Sequence, residues 1–280
     1  MNFLLIHNSM NEKTKVLTSD AATHIISTGG TVLGPECGYS VEQLQSVPTE
    51  YLCSCDCALV FGGDGTMLAA VRFLAVHNLP VCGVNMGRVG FLSSVEKSEL
   101  RYAIDHLLAG NYCIRPRMMV HCQIQRDGRP IAEYEAFNEF VVRSGELSRA
   151  ISYSVDIDNQ RVNNYIADGV IVATPTGSTG YSLSAGGPIV LDDIEMLLIT
   201  PVCAQSFFSR PIVASSSSQV EILCSGSRDR PSLTADGQCC FSLQRFDRVL
   251  IGASTHKAKI VQIRQENYFD RIKKKLYQKL

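Results

Sequence analysis

The sequence lacks an excess of charge of either sign and has no apolar run long enough to cross a membrane. Its 280 residues carry 26 Lys and Arg against 27 Asp and Glu, a formal net charge of -1. Without a basic field, general binding to nucleic acid or to an anionic membrane surface is disfavoured. The most apolar stretches, 67–76 and 196–204, are interrupted by Arg72 and Pro201 and are shorter than a membrane helix of roughly 20 residues. We expect neither nucleic acid nor a membrane as a partner.

Features of an exported protein are also missing. The first seven residues hold a short apolar run with no basic lead-in, which is too little for a secretory signal. The 11 cysteines are an odd number in a long chain, which favours reduced thiols over a disulfide scaffold. Hydrophobic residues make up 45% and charged residues 19%, as in an ordinary folded domain. We expect a folded cytoplasmic protein.

Several well-known catalytic motifs are absent. The chain has no G-x-x-x-x-G-K-[ST], no complete G-x-G-x-x-G and no H-R-D, so Walker-type NTPases, ordinary dehydrogenases and protein kinases lack their signatures here. It has neither H-E-x-x-H nor G-x-S-x-G, so metalloproteases and α/β-hydrolases have no starting residue. No histidine or cysteine spacing indicates a metal site, and we assign no protein metal ligand.

The first 115 residues alternate short apolar runs with helical periodicity. Strands are predicted at 2–6, 58–61 and 80–84, and helices up to Ile26, at 67–76 and at 97–108, where Gly110 ends the last one. Buried strands connected by helices pack naturally as a parallel sheet. Residues 1–115 are therefore predicted to be an α/β domain with a Rossmann-like parallel sheet.

After Pro116 the sequence turns to β-branched and aromatic residues with alternating polarity. Strands are predicted at 120–125, 136–142, 152–157 and 219–223, with turn residues between them. This pattern predicts a β-rich domain over 116–262, with the architecture of a β-sandwich. The tail 263–280 includes a helical pattern at Phe269–Leu280 that places apolar residues on one face, and we predict that it packs back on the N-terminal domain.

The strongest local motif is GGDGT at Gly62–Thr66, between an apolar strand and a helical stretch. Glycines let the backbone approach an anion, and the start of the following helix offers unpaired N–H groups and the positive end of its dipole. Asp64 would lie at the carboxyl end of a parallel strand, where open α/β sheets bind ligands. There a carboxylate can accept a proton from a hydroxyl or hold a metal ion. The alternative of a simple helix cap does not account for all five residues in this context.

A second, longer motif is the segment Asp168–Pro188, DGVIVATPTGSTGYSLSAGGP. It is rich in glycine and hydroxyl side chains, so a nucleotide could lie against its backbone and accept hydrogen bonds from it. Tyr181 offers a ring on which a base could stack. A flexible surface loop is the structural alternative.

Taken together, these motifs resemble the NAD kinase family. The resemblance comprises, in the family's order, GGDGT at 62–66, VNMGRVGFL at 84–92, Asn138-Glu139, the segment 168–190, SRPIV at 209–213 and Asp236-Gly237-Gln238. GGDGT alone is shared with phosphofructokinases and with lipid kinases, so it specifies only phosphoryl transfer. The TPTGSTGYSLSAGGP stretch with the Asn-Glu pair narrows the resemblance to NAD kinase.

The resemblance implies ATP-dependent phosphorylation of the 2'-hydroxyl on the adenosine ribose of NAD, giving NADP, with Mg²⁺ and in a homodimer or homotetramer. By resemblance, Asp64 is the general base. The nucleotide-binding positions implied or predicted are Gly63, Gly65, Thr66, Phe91, Asn138, Glu139, Asp168, Ser178, Thr179, Tyr181 and Ser184. The family's two-domain fold agrees with the change in sequence pattern near Arg115.

Two departures from the family pattern and three alternatives stay open at this point. Gln205 occupies a position where relatives commonly have histidine, and glutamine cannot become cationic. The first strand runs into His7-Asn8-Ser9 and not into a glycine turn. A lipid or sugar kinase could use the same GGDGT, and a silent NAD(P) sensor could keep the pocket without turnover. Inorganic polyphosphate could replace ATP as donor.

Overall fold

The chain divides into two compact units in this computed structural model. One unit comprises Met1–Pro116 and Lys257–Leu280, and the other comprises Arg117–His256. The structure describes residues 1–9, 12–87, 90–145, 150–205, 209–225, 231–264, 267, 269–270 and 272–273.

The first unit is an α/β domain built on a parallel sheet. Its strands are β1 (Asn2–His7), β2 (Thr31–Leu33), β3 (Tyr39–Ser40), β4 (Cys57–Gly62), β5 (Pro80–Asn85) and β6 (Val95–Glu96); its helices are α1 (Glu12–Ser27), α2 (Thr49–Ser54), α3 (Asp64–Val76) and α4 (Leu100–Leu108). The sheet order is β2-β1-β4-β5, with every pair parallel. All six residues of β4 are buried, as expected for a strand covered on both faces. Gly62 pairs with Asn85, so β4 and β5 end at the same edge.

The second unit consists almost entirely of antiparallel strands. They are β7 (Cys113–Arg126), β8 (Arg129–Ala136), β9 (Glu139–Ser144), β10 (Ile151–Ile157), β11 (Gln160–Ala167), β12 (Gly169–Ala173), β13 (Met196–Val202), β14 (Ile212–Ser215), β15 (Val220–Cys224), β16 (Pro231–Ala235), β17 (Cys239–Ser242) and β18 (Arg248–Gln262), with one short helix, α5 (Tyr181–Ser184). Strands β7 and β18 contain residues of both units. One sheet includes β11-β10-β15-β18, and the other has the order β14-β13-β12-β9-β16-β17.

A shared apolar core joins the two sheets of the second unit. Tyr153 and Ile222 come from the first sheet, and Phe140, Val170 and Leu197 come from the second. Period-2 alternation places these residues on the inner faces. The predicted α/β domain followed by a β-sandwich is therefore confirmed.

The opposite face of the second sheet is covered by the segment that follows β12. Ile171, Leu198 and Val202 form a second small core there, with Ala185 and Val190 packed against it. The glycine-rich motif is thus held against a sheet and is not a free loop.

One predicted strand, 136–142, is wrong as a continuous element. The structure ends β8 at Ala136 and begins β9 at Glu139. The physical reason is Asp236, whose carboxylate accepts the amide hydrogens of Phe137, Asn138 and Glu139. These N–H groups bind a side chain instead of a neighbouring strand.

Cys53, Cys55 and Cys57 alternate in the sequence as residues on one face of a strand would, but they do not lie in one strand. Cys53 is exposed within α2, Cys55 caps that helix and Cys57 begins β4. Burial raises the pKa of Cys55 to about 11 and that of Cys57 well above its usual value, so both are inert packing thiols. No described group of three or more His, Cys, Asp or Glu could hold a metal ion.

Most of the predicted tail helix, Phe269–Leu280, lies outside the described residues. Of those described, Ile272 is buried and Lys273 is exposed. Among the described helices, none has the length and apolarity needed to span a bilayer.

Candidate active site

The GGDGT motif forms the junction between β4 and α3. Gly62 ends the strand, Gly63 caps the helix, and Asp64 is the first helical residue. A Cβ atom on Gly62 would overlap the side chain of Thr66, whereas one on Gly63 would meet no heavy atom within 4 Å. Gly62 is therefore needed for packing, and Gly63 leaves open space where the helix begins. Gly63 has no side chain to cap this helix end, and the positive end of the helix dipole lies there.

Asp64 is held by the loop that follows β5. The amide of Phe91 donates to Oδ2 of Asp64 and the amide of Leu92 donates to Oδ1, both at 3.3 Å. Gly90 lies so close that a Cβ atom there would overlap Asp64 Oδ1. The carboxylate is half-buried, and the two N–H groups fix its orientation. This explains why Phe91, a predicted site residue, lies beside the predicted base.

A cavity of about 180 Å³ opens at the carboxyl ends of the parallel strands. It is lined by Asn8, Thr14, Gly62, Gly63, Asn85, Met86 and Gly87. No carboxylate is among these residues. The cavity thus combines glycine backbone, amide side chains and a helix start, which are groups that bind an anion.

Two asparagines build the walls of this cavity, and the sequence analysis did not identify either as a site residue. Asn85 accepts the amide hydrogen of Gly87 at 3.1 Å and donates to the Glu96 carboxylate at 3.2 Å, so it fixes the turn after β5. Asn8 donates through Nδ2 to the Thr66 hydroxyl at 3.3 Å. Because Asn8 directly follows β1 and Asn85 ends β5 at the same edge of the sheet, strand order could have indicated both.

In the second unit, Asn138 and Glu139 lie where β8 breaks off and β9 begins. Asp236 accepts hydrogen bonds at 3.0 Å from Phe137, at 2.7 Å from Asn138 and at 3.1 Å from Glu139. Its own amide donates to the Glu139 carbonyl at 3.0 Å. Asp236 adopts a positive φ of 49°, a conformation that aspartate tolerates in turns. It belongs to the Asp-Gly-Gln motif, and its role is to position the Asn-Glu pair.

The Asn-Glu pair presents two buried oxygens without a hydrogen-bond partner, Oδ1 of Asn138 and Oε2 of Glu139. Glu139 is only 7% exposed. Its burial, and secondarily the charge of Asp236, raise its pKa to about 8. Buried oxygens with no partner are costly, so a ligand that donates hydrogen bonds to them would be favoured.

The glycine-rich segment packs directly on this pair. Thr174 donates through its hydroxyl to the Phe137 carbonyl at 2.7 Å, and a Cβ atom on Gly177 would overlap the Asn138 carbonyl. A Cβ atom on Gly180 would lie 3.0 Å from Glu139 Oε2 and 3.6 Å from Asn138 Nδ2. Because these glycines carry no side chain, the segment can pack directly against the Asn-Glu pair.

Other predicted nucleotide-binding residues fall into two groups. Thr179 lies between the packed glycines Gly177 and Gly180. Tyr181 and Ser184 are exposed on α5, with Tyr181 42% exposed. Ser178 is buried and accepts the amide hydrogen of Val190 at 3.0 Å, so it ties the segment together. Its contact with a nucleotide stays a prediction.

Asp168 is not brought to the Asn-Glu pair. It precedes β12, whose other end pairs Ala173 with Glu139, and a five-residue strand is roughly 17 Å long. Asp168 is exposed and uses its backbone to bond Val202. Gln205, at the position of the family's histidine, is exposed, and its backbone N–H donates to the Ile166 carbonyl at 3.0 Å. Residues 206–208 lie outside the described part of the chain.

Comparison with known proteins identifies both parts of the chain. Residues 5–112 match the family model of the ATP-NAD kinase N-terminal domain, and residues 137–263 match that of the ATP-NAD kinase C-terminal domain. These models name neither a lipid kinase nor a sugar kinase, which decides between those alternatives and NAD kinase.

Curated relatives carry the same name. An NAD kinase from Desulforamulus reducens is 40% identical over 242 residues, covering 86% of this chain and 82% of the relative. An NAD kinase from Ruminiclostridium cellulolyticum is 33% identical over 278 residues, covering 98% and 97%.

Two solved structures share the fold. Yeast NADH kinase complexed with NADH superposes with a TM-score of 0.86 at 24% identity, covering 99% of this chain and 87% of the yeast chain. An NAD kinase from Archaeoglobus fulgidus in complex with ATP has a TM-score of 0.75 at 23% identity, covering 98% and 99%.

Proposed function

Because the chain belongs to the ATP-NAD kinase family and phosphorylates NAD to NADP with ATP as phosphoryl donor, we propose that Asp64 is the general base of this reaction. The observation that carries the proposal is the Asp64 carboxylate, oriented by the Phe91 and Leu92 amides at the start of α3. It accepts the proton of the 2'-hydroxyl on the adenosine ribose. The hydroxyl oxygen bonds to the γ-phosphorus, the bond to the β–γ bridging oxygen breaks, and ADP leaves with that electron pair.

The surroundings of Asp64 supply what phosphoryl transfer needs most, which is alignment and neutralisation of charge. The open backbone at Gly63 and the uncapped start of α3 face the developing negative charge with N–H groups and a positive dipole end. Since these groups are part of the folded backbone, they need no reorganisation during the reaction. A covalent enzyme intermediate is not required.

Mg²⁺ fits this site as an ion brought by the ATP phosphates. The described residues offer no group of three or more candidate ligands, and magnesium is usually bound through substrate phosphates plus one or two carboxylates. Asp64 is the carboxylate at the GGDGT junction. When bound, Mg²⁺ would neutralise charge on the phosphates.

The second unit binds the nucleotide in this proposal. Ribose or base groups would donate hydrogen bonds to the unpartnered oxygens of Asn138 and Glu139, and Tyr181 and Ser184 offer exposed polar and aromatic groups on α5. Gly65, Thr66, Ser178 and Thr179 complete the nucleotide-binding set that the family resemblance implies. Asp168 belongs to the same implied set, although it lies at the far end of β12 from the Asn-Glu pair. We further propose a cytoplasmic homodimer or homotetramer.

Substitution Asp64→Asn tests the general base. The amide keeps the size of the side chain but cannot accept the proton, so turnover should fall at least about a hundredfold. The dissociation constant for NAD, measured by calorimetry, should stay within about threefold of the parent value.

The matched control is Asp20→Asn, which removes an exposed carboxylate on α1 outside the site. It should leave NADP formation unchanged. Parent turnover in an Asp64→Asn protein with an unchanged melting temperature would refute the base assignment. No NADP formed by the parent protein from ATP and NAD would refute the activity itself.

A further inference from the structure

Arg117 and Asp192 form a nearly buried ion pair in the second unit that the proposed function does not use. Nη1 of Arg117 lies 2.5 Å from Oδ2 of Asp192, and the two side chains are only 10% and 18% exposed. Because a charge with so little exposure to water is costly without its partner, each side chain keeps the other in place.

The ion pair joins the end of the glycine-rich segment to a strand of the other sheet. Asp192 lies two residues after Val190, in the turn between the segment and β13. The segment packs on the second sheet of the unit, whereas Arg117 lies in β7, which pairs with β18 in the first sheet. The end of the segment is therefore fixed from outside the sheet on which it packs.

A short series of contacts leads from Asp192 to the residues that pack on the Asn-Glu pair. The hydroxyl of Ser178 accepts the amide hydrogen of Val190 at 3.0 Å and donates to the Val190 carbonyl at 3.3 Å. Ser178 lies between the two glycines that pack against the Asn-Glu pair. A displacement of Asp192 would therefore be transmitted through Val190 and Ser178 to the packed glycines.

Loss of the ion pair should loosen this end of the segment without unfolding the unit. Asp192 lies in a turn in which the next residue, Asp193, is exposed, so a carboxylate that has lost Arg117 can move towards water. The middle of the segment keeps its own tether, because the buried hydroxyls of Ser182 and Thr200 share a hydrogen bond of 2.9 Å. A loosened segment samples more conformations, and a nucleotide must then order it on binding, which lowers the affinity.

We propose that the Arg117–Asp192 ion pair holds the glycine-rich segment in its nucleotide-binding conformation before NAD binds. Arg117 is then a positioning residue, which acts through Asp192 and does not touch substrate. The inference rests on the proposed function, since it takes the second unit to bind NAD through this segment. It predicts that the ion pair contributes to the affinity for NAD, and neither to the affinity for ATP nor to the rate of phosphoryl transfer.

A double-mutant cycle with Arg117→Gln and Asp192→Asn tests the proposal. The Kd for NAD should rise about tenfold in each single variant, because one charge is left without its partner. It should return to within about threefold of the parent value in the double variant, where the two amides can bond each other. The kcat at saturating NAD and the Kd for ATP should not change in any of the three. Without nucleotide, amide exchange at 178–181 should be faster in the single variants than in the parent protein.

Arg126→Gln is the matched control, because Arg126 ends the same strand and bonds the fully buried Asp247 at 2.8 Å, outside the glycine-rich segment. It should lower the melting temperature and leave the Kd for NAD unchanged. Parent affinity for NAD in both Arg117→Gln and Asp192→Asn would overturn the inference. An equal loss of affinity in Arg126→Gln would also overturn it, since affinity would then follow general stability.

Failure of this inference can be told apart from failure of the proposed function. NADP formation by the parent protein and the effect of Asp64→Asn are measured without any change to the ion pair, so both outcomes above leave the proposed function intact. Absence of NADP formation by the parent protein would refute the activity, whatever the ion pair does.

Discussion

Glu139 is the residue at which the electrostatics of the site can be measured directly. Its pKa of about 8, raised from an ordinary value of 4.5 by burial and by Asp236, means that the folded protein holds a proton that the unfolded chain releases. The folded state therefore binds more protons between about pH 4.5 and 8, and the free energy of unfolding falls as the pH rises through that window.

Substitution Glu139→Gln should remove this pH dependence, because an amide resembles the protonated acid at every pH. We expect the variant to match the parent near pH 5 and to exceed it by at least about 1 kcal/mol at pH 9. Urea unfolding at a series of pH values measures the difference. Glu133→Gln, an exposed carboxyl in β8, should leave the curve unchanged; equal curves for parent and Glu139→Gln would contradict the assignment.

At this scale, the sequence predicted the residues that lie inside a local motif. Asp64 could be identified because glycines, strand and helix start are consecutive around it. The positioning role of Asp236 could not, because the amides that it binds lie almost 100 residues earlier in the chain. The same holds for Asn8 and Asn85, which meet only when β1, β4 and β5 are placed side by side.

At the scale of elements, we expect an alanine to have opposite effects at the two glycines that join β4 to α3. Gly63 lines the cavity, and a methyl group there would meet no heavy atom within 4 Å, whereas one on Gly62 would overlap the buried Thr66 side chain. Gly63→Ala should keep the parent melting temperature and raise the KM for ATP at least about tenfold. Gly62→Ala should lose about 1–3 kcal/mol of stability.

Gly252→Ala provides the control for both changes, because its Cβ atom would make only an ordinary contact of 3.8 Å in β18. It should alter neither the melting temperature nor the KM for ATP. A stable Gly63→Ala protein with the parent KM would show that the cavity does not hold the donor.

Strands and helices with a clear hydrophobic pattern were predicted well. Elements whose boundaries depend on contacts with distant residues were not. Each predicted strand of the first unit corresponds to an observed one, because a fully buried parallel strand is apolar throughout. The segment 136–142 also looked like one strand, and only a carboxylate from another hairpin divides it. The cysteines at 53–57 alternate as in a strand, but they span a helix end and a strand start.

At the scale of the whole molecule, the change in sequence pattern near Arg115 predicted two architectures, and both are present. Helical periodicity and two-residue alternation are properties of whole segments, so the fold class survives errors in single elements. Lys257–Leu280 belongs to the first unit. The apolar helical face at 269–280 predicted that the tail 263–280 packs there, and the packing of that helix stays a prediction because most of it lies outside the described residues.

Each unit carries its own polar site, so the two substrates should leave separate footprints in hydrogen exchange. ATP alone is expected to slow amide exchange at residues 63–66 and 87, where the backbone of the first unit lines or borders the cavity. NAD alone is expected to slow exchange at 176–181, where the glycine-rich segment packs on Asn138 and Glu139. Protection of 176–181 by ATP alone, with none at 63–66, would contradict the assignment of donor and nucleotide groups to these units. Mass spectrometry of the full chain resolves both peptides, and Gly63→Ala should weaken the first footprint and leave the second as it is.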